Sequence, residues 1–387
     1  MGKRIIFCAQ VKFPRGDAGA NRVLYMAKAM REHGFDVIVI SPGTFDSDDV
    51  VGEMQEYCGI KYTYYRKFSG KIGKIYNRLW SSVRDTVKIL KKLNMTTDDC
   101  VVIYSSGYFY LKYLIKFLNK KKIDTYIDVV EHHQRDQYES FFTWINYKNA
   151  FDICHKTGRV IAISEHLKKY FEDKGCIAPV LPVFTDKNDY EAVVKTKMEK
   201  TVFIYPGNAY VKDDMKAMIS AFAALSDEEK HKVEFHITAT NERIMKKILG
   251  EDYDDLKNKV KDCVFVHSWL EYDELINLYK KAQFLLLVRP DNIVTRANFP
   301  SKVPELMITG IIPMITEVGD VVKYLTDGKD SFVLKNPTSV EICKDALKKA
   351  MNLSDGEIRK MSINARKTAE EKFDCRNWAE KMGEIFG

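Results

Sequence analysis

Short runs of β-branched and aromatic residues alternate with helical spacing along almost the whole chain, and this alternation restricts the fold more than any other feature. Residues 4–10 predict a first strand. Residues 21–33 carry Val23, Ala27 and Met30 at helical spacing, Gly34 stops that pattern, and 36–40 predict a second strand. Residues 100–105, 125–130, 159–164 and 179–183 continue the series. The rhythm breaks over 186–200, a polar stretch with little apolar pattern. It restarts with predicted strands at 202–206, 233–239, 263–267, 284–288 and 311–315. The pattern predicts an α/β fold with two Rossmann-like domains, their parallel sheets facing a central cleft. The expected divisions are 1–186 for the first domain, 187–200 for a hinge and 201–370 for the second domain. Residues 371–387 are expected to form a C-terminal helix that crosses back to the first domain.

Length and composition narrow the class. At roughly 150 residues per domain, 387 residues make two or three domains. A content of 45% hydrophobic and 30% charged residues excludes a disordered or fibrous chain. The longest uncharged stretch, 100–111, has 12 residues and is too short to span a bilayer. Met1-Gly2-Lys3-Arg4-Ile5-Ile6-Phe7 has no long apolar region of the kind that opens a signal peptide. The eight cysteines never pair as C-x-x-C and several sit in apolar runs, so they are expected to be reduced core thiols of a cytoplasmic protein. Charge is uneven: residues 1–190 hold 30 Lys+Arg against 22 Asp+Glu, whereas 191–387 hold 31 against 32. The first half is therefore the one expected to meet something anionic.

Several chemistries find no motif. No G-x-G-x-x-G follows the first strand, no G-x-x-x-x-G-K-[ST] exists, and the eight histidines lack zinc spacing. Asp46-Ser47-Asp48 matches a metal-binding D-x-D, but it lies in a polar loop after Pro42-Gly43 and no metal is expected.

Ligands of open parallel sheets bind outside the carboxyl ends of the strands, which directs attention to three segments. Phe13-Pro14-Arg15-Gly16-Asp17-Ala18-Gly19-Ala20-Asn21-Arg22 follows the first strand; its small residues admit a ligand to the backbone before a helix start, although an ordinary β–α turn reads the same way. Tyr205-Pro206-Gly207-Asn208-Ala209-Tyr210-Val211-Lys212-Asp213-Asp214 follows the first strand of the second half, where Gly207 allows close approach and Lys212 offers an ammonium to a phosphate. A surface turn with a solvated lysine is the plainer reading. The third runs from Arg289 to Thr316 and includes Arg296, Ala297 and Phe299-Pro300-Ser301-Lys302-Val303-Pro304-Glu305. There Ser301 is expected to cap a helix, with Glu305 one turn inside and Gly310 ending it.

The order of these pieces, with Val160-Ile161-Ala162-Ile163-Ser164-Glu165-His166-Leu167 before the hinge, resembles the retaining glycosyltransferases of the GT-B fold, especially glycosyltransferase family 4. The resemblance covers essentially the whole chain. It implies a metal-independent hexosyltransferase without a cofactor, which uses a UDP- or GDP-linked sugar as co-substrate. It implies that Lys212 holds the donor diphosphate, that Glu305 binds the ribose, and that amides near Ser301, Lys302 and Val303 bind phosphate. The Gly19 loop would face donor or acceptor, and Gly207 and Asn208 would line the donor site. Two departures stand out: Ala297 occupies the place of the family's first glutamate, and Asn208 that of its arginine. Arg289 or Arg296 would then supply the missing charge. Of the strand-end pair His132 and His133, His133 is preferred as the first-domain histidine that retaining members place near the donor sugar; a histidine packed at a strand end is the alternative. The implied catalytic set is Lys212, His133 and Glu305.

Residues 61–92 hold ten basic residues and one acid, Asp85, with Ile72, Ile75, Tyr76, Leu79, Trp80, Val83, Val87 and Leu90 at helical spacing. Such a segment can lie on anionic lipid through Lys71, Lys74, Arg78, Trp80 and Lys88, or pack its stripe on the sheet and leave the lysines in water. Nucleic acid is not an expected partner. The whole predicts transfer of a sugar to a glycan or lipid-linked acceptor in bacterial surface polysaccharide synthesis, by a cytoplasmic protein peripheral on the inner membrane face. A GT-B-like sugar-nucleotide epimerase or hydrolase, or a non-catalytic nucleotide-sugar-binding protein, are the alternatives.

Overall fold

A computed structural model describes residues 3–43, 52–68, 70, 73, 80–104, 106–207, 212–335 and 339–387. The chain forms two compact units, Met1–Asp186 with Asp374–Gly387, and Lys187–Phe373.

In the first unit β1 (Arg4–Ala9), β2 (Asp36–Pro42), β3 (Gln55–Tyr57), β4 (Ile60–Tyr65), β5 (Cys100–Tyr104), β6 (Asp124–Val129) and β7 (Val160–Ala162) make one sheet in the order β3-β4-β2-β1-β5-β6-β7. All neighbours are parallel except β3 and β4. The central strands are covered on both faces, which is why they read as unbroken apolar runs. Between β1 and β2 the helix Ala18–His33 starts at Asp17, whose side chain accepts the Ala20 amide at 2.8 Å, and ends at Gly34. It begins three residues before the apolar spacing suggested, because the small residues of the loop are taken into its first turn. Its Arg22 is buried and donates to both oxygens of Asp128, each at 2.7 Å, and to the carbonyls of Pro182 and Leu181.

One expectation fails here. Residues 179–183 contribute only the isolated bridge of Val180 with Ala162, since Pro179 and Pro182 have no amide to give a ladder. Of the stripe in residues 61–92, Val83, Val87 and Leu90 share one helix, whereas Ile72, Ile75, Tyr76 and Leu79 lie outside the described residues. Lys61 lies in β4, and a helix covers Ser82–Lys92. Lys71, Lys74 and Arg78 lie outside the described residues, as does Asp46-Ser47-Asp48.

The second unit repeats the plan. β8 (Thr201–Tyr205), β9 (Val233–Ile237), β10 (Val264–Val266), β11 (Phe284–Leu287), β12 (Ile312–Thr316) and β13 (Phe332–Leu334) run parallel in the order β10-β9-β8-β11-β12-β13. Residues 187–200 belong to this unit. The Val193 amide bonds the Thr309 carbonyl at 3.2 Å, and Lys195, buried, donates to the carbonyl of Tyr279 at 2.6 Å. Gly310 (φ +90°) makes this docking possible: a Cβ there would stand 2.5 Å from the Val193 oxygen. The chain ends in two helices, Asp355–Lys372 in the second unit and Ala379–Phe386 in the first, the latter within the stretch 371–387 expected to return there. The latter is held to the first unit by Tyr126, which donates to the Ile385 carbonyl at 2.8 Å. Arg376, just before it, bonds Asp186 at 2.8 Å.

Candidate functional site

The carboxyl ends of β8 and β11 are neighbours in the second sheet, and the residues after them meet. Asp213 lies just before the helix Met215–Ala223, which Asp214 caps by accepting the Ala217 amide at 2.9 Å; the Asp214 amide in turn bonds the Val288 carbonyl at 2.7 Å. That bond ties the loop after β8 to the end of β11, next to Arg289. The Arg289 backbone is fixed by Thr316 of β12, whose hydroxyl accepts the Arg289 amide at 2.9 Å.

The guanidinium of Arg289 is 2% exposed. Its Nε donates to Asp213 Oδ1 and its Nη2 to Asn298 Oδ1, both at 2.9 Å. Its Nη1 is buried with no hydrogen-bond partner. On the other side of the carboxylate, Tyr205 donates its hydroxyl to Asp213 Oδ2 at 2.5 Å, and Lys302 Nζ stands 3.5 Å from the same oxygen and 4.7 Å from the centre of the Tyr205 ring. Gly207 (φ +102°) leaves room beside Lys302, because a Cβ there would come within 3.3 Å of Lys302 Cε.

Buried Arg289 and partly buried Lys302 thus share one anion. Burial opposes the Asp213 charge, but Lys302 and Arg289 overcome it and hold the carboxyl below its ordinary range. Burial lowers the Lys302 ammonium, and the positive charges of Arg289 and Lys212 act in the same direction. Tyr205 is pushed well up by burial and by the adjacent carboxylate. Arg289 and Lys302 outnumber Asp213, so the cluster carries a surplus of positive charge suited to an anion.

Among the sequence-derived candidates, Gly207, Lys212, Arg289 and Lys302 are brought to this cluster. Arg296 is not: it is exposed and clasps Asp291, with Nη2 2.7 Å from Oδ2. Ser301 does not cap the helix Lys302–Met307; its own backbone is helical (φ −59°, ψ −28°) and its side chain makes no cap bond. The turn has already started at Pro300, whose carbonyl accepts the Val303 amide. With only six residues in that helix, positive charge here comes from side chains rather than from a helix end. Val303 is buried, Glu305 is half-buried within reach of Tyr279, and Ala297 is buried. Asn208 lies outside the described residues. Asp213, Tyr205, Asn298 and Thr316 were not singled out in the sequence. The one available signal was that an arginine in an apolar strand end requires a buried carboxylate.

The remaining candidates lie in the first unit. Gly19 is inside the first turn of the helix Ala18–His33, where a Cβ would press on Val11 and Tyr104 at 3.0 Å. His133 follows β6 and has Nδ1 2.5 Å from the Tyr138 hydroxyl, its ring stacked on Tyr147 at 5.3 Å. Trp80 is 51% exposed and meets Tyr113 edge-on, and Lys88 is exposed on the helix Ser82–Lys92. Among the described residues no group of three His, Cys, Asp or Glu is placed to hold a metal, and no helix is long and apolar enough to cross a membrane.

Residues 186–368 match the family model of the glycosyl transferases group 1. No curated protein matches the chain. Solved structures similar over the whole length include sucrose-phosphate synthase from Thermosynechococcus elongatus (TM-score 0.73, 12% identity, 99% of this chain and 98% of that one). Anabaena HepE in complex with UDP and glucose has a TM-score of 0.68 at 13% identity, covering 99% and 98%. WaaG, a glycosyltransferase involved in lipopolysaccharide biosynthesis, has 0.65 at 14%, covering 99% and 100%. Two parallel-sheet units with these strand orders and the likeness to these proteins lead to one assignment: the chain has the GT-B fold, and residues 186–368 of it are similar to the glycosyl transferases group 1.

Proposed function

We propose that the protein transfers a sugar, with retention, from a nucleoside diphosphate to a hydroxyl of a glycan or lipid-linked acceptor, without a metal. The observation that carries this reading is the cluster after β8 and β11, in which the buried Nη1 of Arg289 still has a hydrogen bond to give and Lys302 lies 3.5 Å from the carboxylate it shares with that arginine. A diphosphate satisfies both groups. Arg289 also answers the loss of the family arginine at Asn208, because it brings the charge from β11 instead.

In the proposed reaction the bond between the anomeric carbon and the diphosphate oxygen breaks, the acceptor oxygen bonds that carbon on the same face, and the leaving phosphate takes the acceptor proton. Arg289, Lys302 and Lys212 stabilise the charge that builds on the leaving group, the form of electrostatic catalysis a fixed cluster supplies without reorganising. Glu305 is assigned to the ribose hydroxyls. HepE, of the same fold, binds UDP and glucose, which supports a nucleotide-sugar donor. Nucleotide release from UDP-, GDP- and dTDP-sugars, with and without lipid-linked acceptors and in the presence of chelator, tests the proposal. Release that needs acceptor and persists in chelator supports it; acceptor-independent turnover favours a hydrolase or epimerase, and binding without turnover a nucleotide-sugar-binding protein.

The basic excess of residues 61–92 gains a role in the same reading, docking the first unit on an anionic membrane face where a lipid-linked acceptor would be found. Exposed Trp80 and Lys88 support it. Cosedimentation with anionic vesicles at low salt, lost when Lys71, Lys74, Arg78 and Lys88 become Glu, is the expected result.

A further inference from the structure

We infer that Asn298 is a positioning residue of the second unit: it orients the guanidinium of Arg289 toward an anionic ligand and, being uncharged, leaves the positive charge of the cluster available to that ligand. Its role there rests on the donor reading proposed above, in which the ligand is the diphosphate.

An arginine side chain donates hydrogen bonds and accepts none. At Arg289 the backbone is fixed first: Thr316 Oγ1, buried, accepts its amide at 2.9 Å and donates to its carbonyl at 3.1 Å. The guanidinium is then held by two acceptors, Asp213 Oδ1 on Nε and Asn298 Oδ1 on Nη2, each at 2.9 Å. Nη1 is left, buried and with no partner. Asn298 is itself held in place. It follows the helix Ile293–Ala297 in extended backbone (φ −109°, ψ 153°). Phe299, the next residue, is buried against Tyr324 and Phe373, with ring centres 5.9 Å away in each case. Gly319 (φ +73°) lies against the same stretch; a Cβ there would stand 3.1 Å from the Thr295 carbonyl oxygen and 3.4 Å from that of Asn298.

The chemistry of the acceptor decides the charge. A carboxylate in place of the Asn298 amide would hold Nη2 at least as firmly, because hydrogen bonds between ionised groups are the stronger kind. It would also bring a second negative charge to a cluster in which Asp213 already faces Arg289 and Lys302. The surplus that attracts an anion would then be cancelled. The neutral amide orients without neutralising, and Ala297 beside it adds no charge either.

Asn298→Asp and Asn298→Ala separate orientation from charge: the first keeps the acceptor and adds a charge, and the second removes the acceptor and adds none. Thermal unfolding of the full chain and calorimetric titration with pyrophosphate, which requires neither base nor sugar to be known, read both variants. In stability Asn298→Asp should stay close to the parent, with Asn298→Ala below both. In pyrophosphate affinity the order of the variants reverses: Asn298→Ala should lose severalfold and Asn298→Asp tenfold or more. A purely structural residue would give affinities that follow stability, and that result overturns the inference. Pyrophosphate binding by Asn298→Asp equal to that of the parent overturns it as well, and leaves the donor reading standing. Failure of the parent to bind pyrophosphate, UDP or GDP sinks the donor reading and the role of Asn298 with it.

Discussion

Replacing Asp213 by Asn isolates the charge logic of the second unit, because shape is kept and a single negative charge is removed. The carboxylate lies 2.9 Å from Arg289 Nε and 3.5 Å from Lys302 Nζ. At an effective dielectric of ~20 these separations correspond to about 6 and about 5 kcal/mol of gross attraction. Desolvation of nearly buried Arg289 and Asp213 and of partly buried Lys302 returns much of that, and removal of one partner from such a cluster costs about 3–5 kcal/mol net, since the buried Arg289 is left uncompensated. Asp213→Asn should therefore lower the stability of the second unit by that amount in the absence of ligand. Pyrophosphate supplies the missing negative charge, so it should stabilise the variant more than the parent, by RT ln(1 + [L]/Kd) with the smaller Kd.

Calorimetric unfolding with and without pyrophosphate reads both effects. Acid gives an independent check. The Asp213 carboxyl has a folded value below its ordinary 3.8, so its contribution is present above pH 3.8 and is lost as pH falls through the folded value. The parent should lose stability in that acid window more steeply than Asp213→Asn. A loss under about 1 kcal/mol in the variant, or equal stabilisation of both proteins by pyrophosphate, refutes the reasoning that the carboxylate is the counter-ion of an anion site.

The parts legible in the sequence and the parts that were not have physical reasons. Central strands such as Cys100–Tyr104 and Phe284–Leu287 are buried on both faces and announce themselves as apolar runs. The hairpin of Gln55–Tyr57 and Ile60–Tyr65 did not, because it lies at the sheet edge, its first strand is polar, and only the two residues Cys58 and Gly59 separate the pair. Residues 187–200 looked like a linker because they are held through backbone groups and through charged side chains such as Lys195, Lys197 and Lys200, which leave no apolar period. In the candidate site, Lys212, Arg289 and Lys302 were visible singly as residues after strands. Their meeting on Asp213 was not, because it depends on β8 lying beside β11, a neighbour relation between strands some 80 residues apart that no local pattern encodes. Ser301 misled for the opposite reason: the local pattern suited a cap, but Pro300 had already begun the turn.

Asp128→Asn should cost the first unit about 3–5 kcal/mol in urea unfolding, because Arg22 would stay buried with its carboxylate gone; a loss near zero would show that the guanidinium reaches water. Gly310→Ala should destabilise the second unit by more than about 1 kcal/mol, with the docking of residues 187–200 loosened and hydrogen exchange at the Val193 amide accelerated. The buried Lys195 makes a prediction at alkaline pH. Burial lowers its ammonium from 10.5 to about 8, so below pH 8 both folded and unfolded chains carry the charge and the folded one bears its full desolvation cost. Between about 8 and 10.5 the unfolded chain binds the extra proton, and stability from this group rises with pH, by up to about 3 kcal/mol across the window. Buried tyrosines and cysteines titrate at high pH as well, so the measurable quantity is the difference between the parent and Lys195→Met. The parent should gain on the variant from pH 8 to 10. A difference that stays flat would mean that the carbonyls of Tyr279 and Lys280, 2.6 and 3.3 Å from Nζ, keep the lysine charged throughout.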